Sequence, residues 1–128
     1  MTMPSNMMDE ESPLLHDGRI VSEGNVSTAL RWLAERPHPI GLAQKDVTDA
    51  KHEVKRIWGK VYGEQKKGSV EERKAATDCD PRVVEARASI GKAEQDLASH
   101  QERSKAAIMM IEVWRSETSR NKAAERVR

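Results

Sequence analysis

Residues 81–118 read PRVVEARASIGKAEQDLASHQERSKAAIMMIEVWRSET. Within this stretch Val83, Ala86, Ile90, Ala93, Leu97, His100, Ser104, Ala107, Ile111, Trp114 and Thr118 recur at alternating steps of three and four. An α-helix brings residues back to one side every 3.6 positions, so this spacing lays all of them along one narrow seam, the pattern of a coiled-coil helix. Asp80 and Pro81 supply the start signal, because the aspartate can cap free amides while proline occupies the first helical position, where its missing N–H costs nothing. A helix from 81 to about 118 is roughly 57 Å long.

Working back toward the N-terminus, residues 41–66 place Ala43, Val47, Ala50, Val54, Ile57 and Val61 at the same alternating steps. This second seam predicts a helix of roughly 39 Å, weakened near its end by Gly59 and Gly63. Between the two lies KKGSVEERKA (66–75): Gly68 reads as a helix stop, and Ser69 with Glu72 reads as a capping box for a short helix over 70–77. Two seamed helices joined by so short a connection are expected to form a long antiparallel, coiled-coil-like hairpin. Upstream, VSTALRWLAER (26–36) puts Val26, Ala29, Leu30 and Leu33 on one stripe, with Asn25 or Ser27 as its cap, and PHPI (37–40) stops it. The fold class is therefore all-α, with helices at about 26–36, 41–66, 70–77 and 81–120.

A hydrophobic fraction of 37%, a charged fraction of 34% and the absence of Phe leave too few large apolar side chains for a thick core. The longer helix outreaches the shorter one, so Ile108, Ile111 and Trp114 stay exposed unless the 26–36 helix or another subunit covers them. An oligomer is expected, with Leu97, His100, Ile108, Ile111 and Trp114 as its interface. His100 and Ser104 are polar positions on the seam, where such residues usually set register or oligomer state.

Net charge is +1, yet residues 1–24 carry Asp9, Glu10, Glu11, Asp17 and Glu23 against Arg19 alone, a balance of −4 that leaves +5 on the remainder. With Pro4, Pro13, Gly18 and Gly24 and no hydrophobic period, 1–24 reads as an acidic, mostly disordered tail, and 25–128 as the helical hairpin domain. The single Cys79 offers no internal disulfide and sits in no metal-ligand spacing, which favours a reducing compartment. The N-terminal stretch carries no export signal, and no run of about 18 apolar residues occurs, so the expected location is cytoplasmic, away from membranes.

Catalytic and cofactor signatures do not emerge. His16, His38, His52 and His100 are scattered, and HExxH, paired cysteines and glycine-rich phosphate loops are all missing. Neither an enzyme nor a cofactor is expected. Trp58 and Tyr62 stand one helical turn apart among Lys55, Arg56, Lys60, Lys66 and Lys67. Rings interleaved with cations suit single-stranded nucleic acid, because rings stack on unpaired bases while cations follow phosphates. The same rings could instead cover the hairpin. Beyond Trp114, the cations Arg115, Arg120, Lys122, Arg126 and Arg128 form a basic C-terminal segment.

The stretch GSVEERKAATDCDPRVVEARASIGKAEQDLASHQERSKAAIMMIEVWRSETS (68–119) resembles small helical proteins of tailed bacteriophages, in which a GSxxERK turn precedes a long helix ending in an apolar, Trp/Leu-Arg-Ser segment. The plan over roughly 41–122, a helix, a Tyr-Gly basic turn (Tyr62, Gly63, Lys66, Lys67) and a long helix with a basic end, is similar in layout to the UvsY-type recombination mediator family. That resemblance implies a mainly helical, ring-forming oligomer that binds single-stranded DNA and helps to load a recombinase, with a single-strand-binding protein as a further possible partner. Arg115 and Lys122 fall where that family has C-terminal basic residues. It also implies a phage-encoded protein acting in the host cytoplasm. The acidic extension and the PHPI break have no counterpart there. A protein–protein interaction module, such as a phage inhibitor of a host enzyme or a helical adaptor using Trp32 and Trp114 for docking, is the alternative.

Overall fold

The computed structural model describes residues 20–127. These form four α-helices and no strand: α1 (Glu23–Ala34), α2 (Pro39–Glu64), α3 (Val70–Cys79) and α4 (Pro81–Val127). The expected acidic tail lies almost wholly outside the described residues.

Each boundary has a local chemical cause. Ser22, not Asn25 or Ser27, caps α1: its Oγ accepts the Asn25 amide at 3.1 Å, so the helix begins a turn earlier than the apolar stripe suggests. His38 Nδ1 accepts the Ile40 amide at 3.1 Å and Pro39 takes the first helical position, so the PHPI break is short and α2 resumes within it. Glu64 ends α2, which leaves Lys66 and Lys67 in the connection that follows. There Gly68 adopts φ +99°, a region costly for any residue with a Cβ, and Ser69 Oγ accepts the Glu72 amide at 3.2 Å. At the start of α4, Asp80 Oδ1 accepts the Arg82 amide at 2.8 Å. α4 continues to Val127, beyond the expected 118–120, because the added segment contains Ala123, Ala124, Glu125 and long cations but neither Gly nor Pro.

Packing groups the described residues into two compact units. Among the described residues, one joins 20–35 with 103–127; the other runs from Arg36 to Glu102. α4 contributes to both.

In the second unit the two seams meet. Ala43, Val47 and Val61 of α2 and Val83 and Ala86 of α4 are buried, and Ala50, Val54, Ile57, Ile90, Ala93 and Leu97 are half-buried. The Arg82 guanidinium at the start of α4 pairs with Glu64 at the end of α2 at 2.8 Å, while Ala50 and Ile57 share a groove with Ala86 and Ser89. Val61, Val83 and Thr77 of α3 are fully enclosed, and the Thr77 hydroxyl avoids an unsatisfied burial by donating to the Arg73 carbonyl at 2.8 Å.

In the first unit α1 packs on α4. Ala29, Trp32 and Ala107 form a buried cluster, with Leu33 and Ile111 packed against it. The stripe on α1 therefore differs from the expected one: Leu30 is 52% exposed and Trp32 only 5%. Burying the indole removes more apolar area than burying leucine, and the indole N–H finds an acceptor in Ser104 Oγ at 3.0 Å, so the helix rotates toward Trp32. Val21 is also buried, and the Ile20 amide donates to the buried Glu117 carboxylate at 2.7 Å.

Candidate nucleic-acid interface

The aromatic pair of the second unit is positioned by α2. Trp58 and Tyr62 lie at i and i+4, the separation at which helical side chains meet, and their rings stack at 5.1 Å with 8° between planes. The Trp58 Nε1–H donates to Asp78 Oδ1 at 2.9 Å, and Arg87 donates to the same oxygen at 2.9 Å. Those bonds, the indole first and the guanidinium second, hold the Asp78 carboxyl below the usual carboxylate range. The Arg73 guanidinium stands 5.6 Å from the Tyr62 ring centre. Both rings are half-buried. Each ring thus already has a stacking partner within the chain, which leaves less aromatic surface for bases than the spacing alone suggests.

Asp78, Arg73 and Arg87 were not legible as partners of this pair. They lie 11 to 29 positions away along the chain, and no local pattern links them to Trp58 or Tyr62. Around the pair, Lys55, Lys60, Lys66 and Lys67 are exposed and make no ion pair among the described residues, whereas Arg56 is taken up by Glu53 one turn away. A second anchored cation closes this end of the unit. Arg82 donates to both Asp80 and Glu64, and it holds both carboxyls below their ordinary range.

The cations of the first unit are carried by the distal part of α4. At about 100° per residue, Arg115, Lys122 and Arg126 fall within about 40° of one another around the helix axis, while Arg120 is turned about 140° from Arg115. All four are exposed, and none forms an ion pair among the described residues. Ser119 lies on the same line, and together with Ser116, Arg115 and Glu112 it lines a shallow polar groove. The line of three cations covers about 17 Å of helix.

The proposed interface residues separate. Ile111 is half-buried against the Ala29, Trp32 and Ala107 cluster, so α1 supplies its cover; Trp114, Leu97 and His100 are half-buried, and Ile108 remains 48% exposed. Among the described residues no group of three or more His, Cys, Asp or Glu is placed to hold a metal ion, and no helix is long and apolar enough to cross a membrane. Compared with known proteins, the chain matches no family model, no curated protein and no solved structure.

Proposed function

We propose that this protein is an accessory factor of DNA recombination or replication that holds single-stranded DNA through its phosphates, without sequence preference, and assists a recombinase or acts beside a single-strand-binding protein. The observation that carries this reading is the line of Arg115, Lys122 and Arg126 along α4, exposed and without an ion pair among the described residues. Cations on a rigid helix follow a polyanion without reading bases. Lys55, Lys60, Lys66 and Lys67 add positive charge to the second unit, and Trp58 and Tyr62 contribute stacking only through the surface that their mutual contact leaves open. The layout likeness to UvsY-type mediators supports the recombination setting, a bacteriophage origin and action in the host cytoplasm. In this reading α2 and α4 pair as a coiled-coil hairpin, and Leu97, His100, Ile108 and Trp114 lie toward the contacts of a homo-oligomer, while Ile111 serves the contact with α1.

Fluorescence anisotropy with labelled oligo-dT at two salt concentrations is the direct test. Three phosphate contacts on a single strand give a slope of about −2 in log affinity against log salt, so affinity should fall about 20-fold between 50 and 200 mM. An absence of binding at micromolar protein in low salt would remove the proposal.

A second reading, a protein–protein interaction module, draws on Ile108, Met109 and Met110, consecutive on α4 and 48%, 64% and 37% exposed. Recovery of a specific partner protein that persists after nuclease treatment would favour it.

A further inference from the structure

The first unit contains a small cavity that the nucleic-acid reading does not use. Ala29 and Trp32 of α1 and Ala106, Ala107 and Met110 of α4 supply its apolar lining, and the space, open to solvent on one side, is about 140 Å³. Sites for drug-sized ligands run from about 300 to 1,000 Å³, whereas a void near 150 Å³ holds one benzene-sized group. This cavity is therefore the size of a single apolar side chain. A nucleotide is too large for it.

Its polar lining determines the charge of the occupant. The Arg103 guanidinium lies 4.1 Å above the centre of the Trp32 ring and forms no ion pair among the described residues. A planar cation held against an aromatic face keeps its donors directed outward in a fixed fork, the geometry that receives a carboxylate. Among the described residues no acidic side chain lines the cavity. Met110 is 37% exposed at its edge, and its unbranched thioether can adjust to the shape of the group that enters.

From the cavity size and the unpaired guanidinium we infer that this groove is an anchor for an acidic amphipathic segment of a partner protein. One leucine-sized side chain fills the space over Trp32, and a neighbouring carboxylate pairs with Arg103. This inference is independent of DNA binding, and either can fail without the other.

Burial of the side chain supplies most of the affinity, about tenfold to hundredfold, while the exposed ion pair contributes about two- to fivefold and sets the preference for acids. The test uses the full ¹⁵N-labelled chain and three short amidated peptides: one rich in glutamate with a central leucine, the same peptide with alanine in place of leucine, and a lysine-rich version that keeps the leucine. The glutamate–leucine peptide should shift the Trp32 indole N–H signal and the Ala106 and Ala107 amides at lower concentration than either control. Ala106→Leu fills the cavity from an exposed helical position and should weaken binding about tenfold, and Arg103→Glu should reverse the preference toward the lysine peptide. Equal shifts with the alanine peptide on the unmodified protein would overturn the proposal without reference to any variant. So would an unchanged charge preference in Arg103→Glu. If raising the protein concentration alone moves the Trp32 signal, the groove belongs to a second copy of the chain, and the partner-peptide assignment is wrong.

Discussion

Removing the Trp32 side chain should have a large and separable effect on the first unit. Trp32 is 5% exposed in a cluster whose other buried members are only alanines, so it supplies most of the apolar area that binds α1 to α4. A buried indole of about 200 Å² at about 25 cal/mol per Å² corresponds to about 5 kcal/mol, an upper bound because the unfolded chain already hides part of this surface. Trp32→Ala should therefore cost about 3–5 kcal/mol, in line with large-to-small changes in cores. Trp32→Phe keeps most of the area and loses the hydrogen bond to Ser104 Oγ, for about 1 kcal/mol plus a smaller packing loss. Ser104→Ala removes this acceptor from the indole and should cost about 1–2 kcal/mol. In the double variant the two losses should overlap, with a coupling of about 1 kcal/mol. Urea unfolding followed by circular dichroism measures the unmodified chain, Trp32→Ala and the three variants of the Trp32→Phe, Ser104→Ala cycle. A loss below about 1 kcal/mol for Trp32→Ala, or additive effects in the cycle, would refute the view that Trp32 and Ser104 hold α1 on α4.

Further outcomes can be checked separately. Gly68→Ala places a Cβ on a residue at φ +99°, 2.9 Å from Glu72 Oε2 and 3.2 Å from Glu72 Cβ, and should lower stability by about 1–2 kcal/mol in thermal melts. Asp78, Asp80 and Glu64 have carboxyl pKa values below their unfolded values, because Trp58 and Arg87 bond Asp78 and Arg82 bonds the other two. Their contribution is therefore complete above the unfolded carboxylate value of about 4 and is lost as pH falls through the lower folded values. Melting temperature should be level from pH 7 to about 5 and decline below about 4; in Arg82→Gln that decline should become shallower, and an identical acid profile would show that Arg82 is not its source. For DNA, the triple change Arg115→Gln, Lys122→Gln and Arg126→Gln should reduce the salt slope by about 2, whereas Arg120→Gln alone should alter it by less than 1; a triple variant with the full slope would move the contact surface elsewhere.

Much of the local structure was legible because helical spacing and end chemistry are local properties. The steps of three and four picked out Val83, Ala86 and Ala107 as buried and Ile90, Ala93 and Leu97 as half-buried. Ser69 and Pro81 marked helix starts through their own hydrogen-bonding chemistry. The candidate site was legible only as composition. The lysines around Trp58 are exposed as charged side chains usually are, but the stacking of Trp58 on Tyr62 and the tie from Trp58 to Asp78 depend on where α3 and α4 pass, and no pattern within α2 specifies that.

By itself, the sequence determined that the described residues form helices, where the last two of them begin, and which side of each long helix is apolar, since all of these follow from residues a few positions apart. Tertiary structure alone decided that α1 turns Trp32 inward and Leu30 outward, that Ile111 is covered by α1, and that Arg82 joins Glu64 to Asp80. The physical reason is that a helix with two apolar faces to choose from takes the one that matches its neighbour. On α4 the neighbour offered the Ser104 hydroxyl and the small side chain of Ala107, a fit that only an indole at position 32 could use in full.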